Sequence, residues 1–196
     1  MSDRTTGALA ALMLARWWSR PTVEELESWF ELWSLADETA RIIGLDRHQV
    51  AQLRLLAEGS DAEALLDEYE RLLVGPGRPP CPPYESLWRD DARAREHGVL
   101  MGSVADAVQS VYGTLELRLR ADAHELPDHL LVEFEAVAHA LDHEATEAAR
   151  TLLDDHLAVW TAPFCAAVPA ETDQPFYAAL ARLTSTWIAA LAAALR

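Results

Sequence analysis

The sequence predicts an all-α fold: a single helical domain of roughly seven to nine helices over residues 1–196, with one proline-rich extended loop. Three observations predict it. Apolar residues recur at i, i+3, i+4 and i+7 through most of the chain. Residues that cap helix N-termini stand before several of these runs. Between them lies one stretch, Gly75 to Pro83 (GPGRPPCPP), that cannot be helical, because proline removes donors and restricts the residue before it.

Leu9, Leu12, Met13, Arg16 and Trp17 set the first apolar stripe, and Pro21 ends it. Thr22 with Glu25 reads as a capping box, in which each side chain satisfies an otherwise orphaned backbone N–H. The helix it opens carries Leu26, Trp29, Phe30 and Trp33 on one face. Asp46 with Gln49, and Ser60 with Glu63, announce two more, the latter running through Leu65, Leu66, Tyr69, Leu72 and Leu73. The strap at 75–83 is extended and semi-rigid. Helical pattern resumes near Gly102-Ser103 and continues through Val104, Val108, Val111, Tyr112 and Leu115. A break from Ala121 to Pro127 precedes a helix with Leu130, Phe134, Val137 and Leu141 inward. Two more follow, at about 145–167 and 174–195, the second opened by Asp173 and Pro175. No segment is read as a strand, and no internal repeat is found.

Composition removes several classes of function. All 16 cations are Arg, against 32 Asp and Glu, for a net charge of −16. Such a charge repels phosphate backbones, so no nucleic acid is expected, and it favours cationic partners. With no Lys, neither a Schiff-base amine nor a P-loop lysine exists. Cys81 and Cys165 form no disulfide framework and read as reduced thiols of a cytoplasmic protein. No uninterrupted apolar run approaches the roughly 18–20 residues that span a bilayer, so no stable membrane insertion is expected. The run Ala8 to Ala15 follows Arg4, but Arg16, Trp17 and Trp18 replace the small-residue cleavage site of a secretory signal; it reads as a first helix of a non-exported protein.

Four features could carry function. Pro82-Pro83-Tyr84-Glu85-Ser86-Leu87-Trp88 offers either core anchors on a loop or a rigid aromatic platform beside a carboxylate and a hydroxyl, suited to a peptide with apolar and basic residues. In Leu126-Pro127-Asp128-His129, Asp128 reads as a helix N-cap. His129 and Glu133, four apart, could pair on one face or co-ligate a metal. His139 and His143, with Asp142 between, have the pitch for one metal but lack the Glu of a zinc-protease helix. The seven Trp read as core, apart from Trp88 beside the strap. No Ser or Cys stands in a recognisable nucleophile motif. A helical metal-binding protein or enzyme built on His129, Glu133, His139 and His143, and a generic acidic adaptor for a basic partner, both stay open.

The order of motifs carries a resemblance. Tyr69-Glu-Arg-Leu-Leu-Val-Gly-Pro-Gly77, then Pro82 to Trp88, then Leu100-Met101-Gly102, then Leu126-Pro-Asp-His-Leu130 with Glu133-Phe134, resembles the TorD/DmsD/NarJ family of chaperones for molybdenum enzymes. His156-Leu-Ala-Val-Trp160 and Pro175-Phe-Tyr177 extend the match to about residue 180, whereas the first 60 residues match only as generic helices. No single motif is specific; the ordered set is.

The resemblance implies an all-helical cytoplasmic chaperone with no catalysis and no cofactor of its own. Its implied partner is the apo catalytic subunit of a molybdopterin oxidoreductase. It would bind that subunit's N-terminal segment or twin-arginine signal peptide, and hold it until cofactor insertion. The strap and the Asp-His motif are the family's peptide-binding region, which here points to Tyr84, Ser86, Trp88, Pro127, Asp128, His129 and Glu133, with Glu85 weighted less. Carboxylates such as Asp128 and Glu133 can take a guanidinium bidentately, in charge-assisted bonds roughly twice as strong as neutral ones. A monomer is the default, and the long strap is also a hinge for a domain-swapped dimer.

Overall fold

The computed structural model describes residues 3–89, 100, 102–120 and 125–195. Among them nine α-helices follow in order: α1 Asp3–Trp17, α2 Val23–Ile42, α3 Arg47–Glu58, α4 Ala62–Tyr69, α5 Ser103–Thr114, α6 Leu130–Asp142, α7 Thr146–Thr151, α8 Ala158–Glu171 and α9 Pro175–Ala194. π-helical turns extend α4 over Glu70–Val74 and join α7 to α8 over Leu152–Leu157. The described residues contain no strand; one isolated antiparallel bridge pairs Tyr84 with His129.

The core is built around α1, α6 and α9. Gly7 lets α1 approach closely: a Cβ there would lie 3.2 Å from Leu141 of α6 and 3.4 Å from Leu191 of α9. Trp17 stacks on Trp33 of α2 at 4.9 Å and meets Trp187 of α9 at 5.6 Å. The Trp18 indole N–H donates to Thr184 Oγ1 at 2.9 Å, so its one polar atom enters the core satisfied. Six of the seven Trp are buried, and Trp88 is the partly buried exception the sequence indicates. α9 is long and apolar enough to cross a membrane, but 61 % of that stretch is buried within the fold, which is the signature of a core helix.

Several helix ends differ from expectation in an instructive way. Thr22 caps α2 by accepting from Glu25 N at 3.2 Å, but the Glu25 carboxylate turns to Arg16 at 2.9 Å, so only half of the capping box forms. Asp61, not Ser60, caps α4, accepting from the N–H groups of Glu63 and Ala64. The Ser60 hydroxyl instead donates to the Leu56 carbonyl at 2.7 Å, one of the orphaned acceptors at the end of α3. The helix expected at 145–167 runs unbroken from Thr146 to Glu171, through the π turn and past Pro163 and Pro169. Met101, residues 121–124 of the expected break and the side chain of Phe30 lie outside the described residues.

Candidate functional site

The proline strap becomes a clamp on the start of α6. Gly75 turns the chain with φ +106°, where a Cβ would also meet Gly77 N at 3.0 Å. Cys81 N–H then donates to the Leu72 carbonyl at 2.9 Å, a group orphaned by the end of the preceding helix. Each proline restricts the residue before it to extended backbone, and the strap's carbonyls serve as acceptors. Pro82 O accepts the Trp88 indole N–H at 2.6 Å, and Pro83 O accepts Leu130 N–H, the first of α6, at 2.9 Å. Trp88 rests edge-on against Phe164 at 5.7 Å.

His129, not Asp128, is the N-cap of α6: its Nδ1 accepts from Leu131 N at 3.2 Å. Asp128 serves the connector instead. Its carbonyl accepts Glu85 N–H at 2.9 Å and its carboxylate accepts Ser86 N–H at 3.1 Å, while the Tyr112 hydroxyl donates to Pro127 O at 2.7 Å. The Tyr84 ring meets the His129 ring edge-on at 5.0 Å. The sequence-derived set thus converges on one junction, with Trp88 and Asp128 reached from the same short turn, Glu85–Leu87.

Much of that set faces inward. Glu85, Asp128 and Glu133 are fully buried, and Ser86 nearly so. His129 and Glu133 do not share partners: Glu133 accepts the Trp160 indole N–H at 3.1 Å. Burial first, and the neighbouring Glu85 carboxylate second, push the Glu133 carboxyl well above its usual range. Glu85 is held by His156 Nδ1, 2.9 Å from Oε2, and by the Arg89 guanidinium. Ser86 Oγ, Asp128 Oδ1 and Glu133 Oε2 have no hydrogen-bond partner among the described residues.

The outer side of the junction opens into a groove of about 360 Å³ between residues 117–120 and α6. Leu117, Leu119, Leu131, Val132 and Ala136 make its apolar wall, with Glu125, Glu135 and Arg118 on its edges. A second hollow of about 320 Å³ continues along α6 toward α1, sharing Glu135 and His139 and adding Leu9 and Leu12. Glu125 ties groove to junction: it accepts the Tyr84 hydroxyl at 2.9 Å and lies 3.6 Å from His129 Nε2. Burial holds the His129 imidazole below its usual range, against the pull of Glu125 and Asp128. With Nδ1 accepting from the backbone, neutral His129 carries its proton on Nε2, toward Glu125. Partial burial raises the Glu135 carboxyl, opposed by Arg16.

His139 and His143 stack at 3.9 Å, and His143 Nδ1 contacts the His139 carbonyl. No group of three or more His, Cys, Asp or Glu able to hold a metal ion exists among the described residues, so the four residues of the metal reading do not assemble into one. Sequence reasoning passed over Glu125, Arg89 and the 117–120 wall, and took Glu135 only as a further carboxylate on a different face from His129. The alternation Leu115-Glu-Leu-Arg-Leu-Arg120 signals that wall, with its leucines partly buried and its charges exposed.

The fold is all-helical, its connector clamps the head of a helix beside an apolar groove edged by Glu125, Glu135, Arg118 and Arg120, and no metal-ligand cluster is present among the described residues. The chain belongs to the nitrate reductase delta subunit family, whose model matches residues 45–166, and with it to the TorD/DmsD/NarJ group. It is 29 % identical over 162 residues to the chaperone protein TorD of Shewanella pealeana, covering 82 % of this chain and 72 % of that one. It is 26 % identical over 149 residues to the Tat proofreading chaperone DmsD of Salmonella paratyphi A, covering 74 % and 69 %. A crystal structure from Archaeoglobus fulgidus, of a protein assigned to redox enzyme maturation, superimposes with a TM-score of 0.65 over 96 % of this chain and 95 % of that one, at 22 % identity; it bears out the all-helical fold.

Proposed function

We propose that this protein is a cytoplasmic, non-catalytic chaperone of a molybdopterin oxidoreductase. It binds the N-terminal or twin-arginine leader of the apo catalytic subunit and holds that subunit until its cofactor is inserted. The observation that carries this reading is the groove beside α6, with an apolar wall and with Glu125 and Glu135 as well as Arg118 and Arg120 at its edges, where Glu125 also accepts the Tyr84 hydroxyl. An apolar leader segment fits the wall, and its arginines find carboxylates at the edge. Family membership and the TorD and DmsD relatives support the same role.

Within the site, the residues divide by reach. Tyr84, Pro127 and Trp88, all partly exposed, are available to touch the client. Glu85, Ser86, Asp128 and Glu133, with the capping ring of His129, act from beneath by fixing the connector on α6. The −16 charge speeds encounter with a basic leader more than it sets affinity. Co-purification from the native host, followed by titration of a synthetic peptide copied from the captured subunit's N-terminus, tests the reading. Recovery of a molybdopterin oxidoreductase subunit and salt-sensitive, saturable peptide binding are expected; a captured partner of another kind, or no peptide binding, overturns it.

A further inference from the structure

α5 ends in a way that launches the next residues across the surface. Glu116 takes φ +56°, its N–H donates to Gly113 O at 3.2 Å, and Leu117 N–H donates to Tyr112 O at 2.9 Å, the paired bonds of a Schellman stop. Residues 117–120 then run with neither helix nor turn, and their exposure alternates: Leu117 and Leu119 are partly buried, Arg118 and Arg120 exposed. That is the period of an extended strand. Such a chain sends successive side chains to opposite sides, yet all four residues border the groove of about 360 Å³ beside α6. The main chain itself is therefore part of the groove wall.

That main chain is unpaired. Among the described residues, the Leu117 carbonyl and both main-chain groups of Arg118 and Leu119 have no hydrogen-bond partner. Leu117 N–H points back to α5, and successive peptide groups of an extended chain point opposite ways, so the N–H and C=O of Arg118 face away from α5. The facing wall, α6, meets the groove with side chains, because past its first turn its own N–H groups are spent within the helix. Water satisfies the open groups while the groove is empty. An apolar segment laid in the groove expels that water, and a donor or acceptor stranded there costs much of what the contact gains. A helical segment does not repair this, since its backbone is bonded within itself. An extended segment does, by adding as a strand to the open edge while its side chains meet the opposite wall.

We propose that the groove takes the client leader as an extended strand, paired through the main chain to Arg118, with alternate leader side chains against Leu131, Val132 and Ala136; this rests on the leader-binding reading above. Recognition then divides between backbone and side chains. The main-chain bonds supply affinity that does not depend on leader sequence, and the α6 wall selects apolar residues at every second position. Glu125 and Glu135 meet the arginines at the groove edge.

Two measurements on the full chain test this, with a synthetic peptide of two arginines and an apolar run as the probe. Arg118→Pro and Arg118→Ala both lose the guanidinium, but only Pro loses the N–H, and its ring restricts Leu117 to the extended backbone it already has. The Pro variant is expected to bind about tenfold more weakly than the Ala variant, as for one hydrogen bond lost in an apolar groove. On wild type, the apolar run of the peptide is methylated at one amide nitrogen at a time. Methylating the amide that donates to Arg118 O should cost about tenfold, while the amides on either side of it, which point away, should keep most of the affinity. Equal binding by folded Pro and Ala variants, or losses at every amide of the run as for a helix, overturns the strand pairing and leaves the leader reading in place. Failure of Arg118→Pro to fold leaves the decision with the methylation series. No binding of the unmethylated peptide to wild type sinks the leader reading, and the strand pairing with it.

Discussion

Trp160 donates its indole N–H to Glu133 at 3.1 Å, joining α8 to α6 inside the core through a carboxyl with no solvent exposure. Burial pushes this carboxyl up, so the folded chain holds the proton more tightly than the unfolded one. Its contribution to stability is therefore fully present below the ordinary value of 4.5 and lost as pH rises through the folded value. Glu133→Gln keeps the acceptor for Trp160 and removes the titration. It is expected to match wild type near the ordinary value of 4.5 and to melt progressively higher than wild type as pH rises above it, because wild type must hold a proton that its unfolded chain releases. Glu133→Ala leaves both a hole and an unpaired indole, costing about 2–4 kcal/mol. Thermal melts over a pH series check both outcomes.

Asp128 holds the connector through the Ser86 N–H, and neither group reaches solvent. Asp128→Ala strands that donor and is expected to cost about 1–3 kcal/mol. Asp128→Asn keeps an acceptor oxygen and is expected to retain stability and most of the affinity for a leader peptide. Loss of binding in a stably folded Asn variant would show instead that the charge itself meets the client. Calorimetric titration beside a urea melt separates the two.

The helices were legible because their periodicity and caps are local. Thr22 and Asp46 announced helix starts that the structure places where they point. Asp128 misled for a reason visible only in three dimensions: its carboxylate had a competing donor, Ser86 N–H, 42 positions back in the chain, and the capping role passed to His129. Ser60 misled because the neighbouring Asp61 offers the stronger acceptor and the Ser60 hydroxyl closes the previous helix. The junction itself was foreseen as a region, since the strap and the Pro-Asp-His motif are both unusual in composition. Its inside and outside were not. Glu133 sits at a position of ordinary helical spacing, and its partner Trp160 lies on a separate helix, so burial left no local mark. Glu125 and Glu135 look like two of many acids until the extended leucines of 117 and 119 form the facing wall.

His129 offers a pH handle of the opposite sign. Burial depresses its pKa below the usual 6.5, so the unfolded chain binds the proton more readily. The stability it brings is fully present above 6.5 and is lost as pH falls through the folded value, when Nδ1 can no longer accept from Leu131 N. His129→Asn retains a capping acceptor without titrating there, and is expected to flatten the decline in melting temperature between about pH 7 and pH 5. His129→Ala loses the cap and is expected to cost about 0.5–2 kcal/mol across that range. An unaltered pH profile in the Asn variant would assign the decline to another group.

Glu125 and Glu135 stand at the edge of the groove beside Arg118 and Arg120, with the Glu125 side chain 40 % exposed, so arginines of a leader bound as proposed would meet them in partly hydrated surroundings. Pairs of this kind contribute about 0.5–1 kcal/mol each and are weakened by salt. Replacing both by Gln removes charge while keeping shape, and is expected to weaken leader binding by about 1–2 kcal/mol at low ionic strength, roughly five- to thirtyfold. Most of that loss should fall on the association rate, because edge charges steer encounter. Raising the salt should bring wild type toward the double variant, leaving the apolar contribution of Leu117, Leu119, Leu131 and Val132 common to both. Stopped-flow association measured over a salt series resolves this: parallel slopes for the two proteins would place the arginine contacts elsewhere than on this groove.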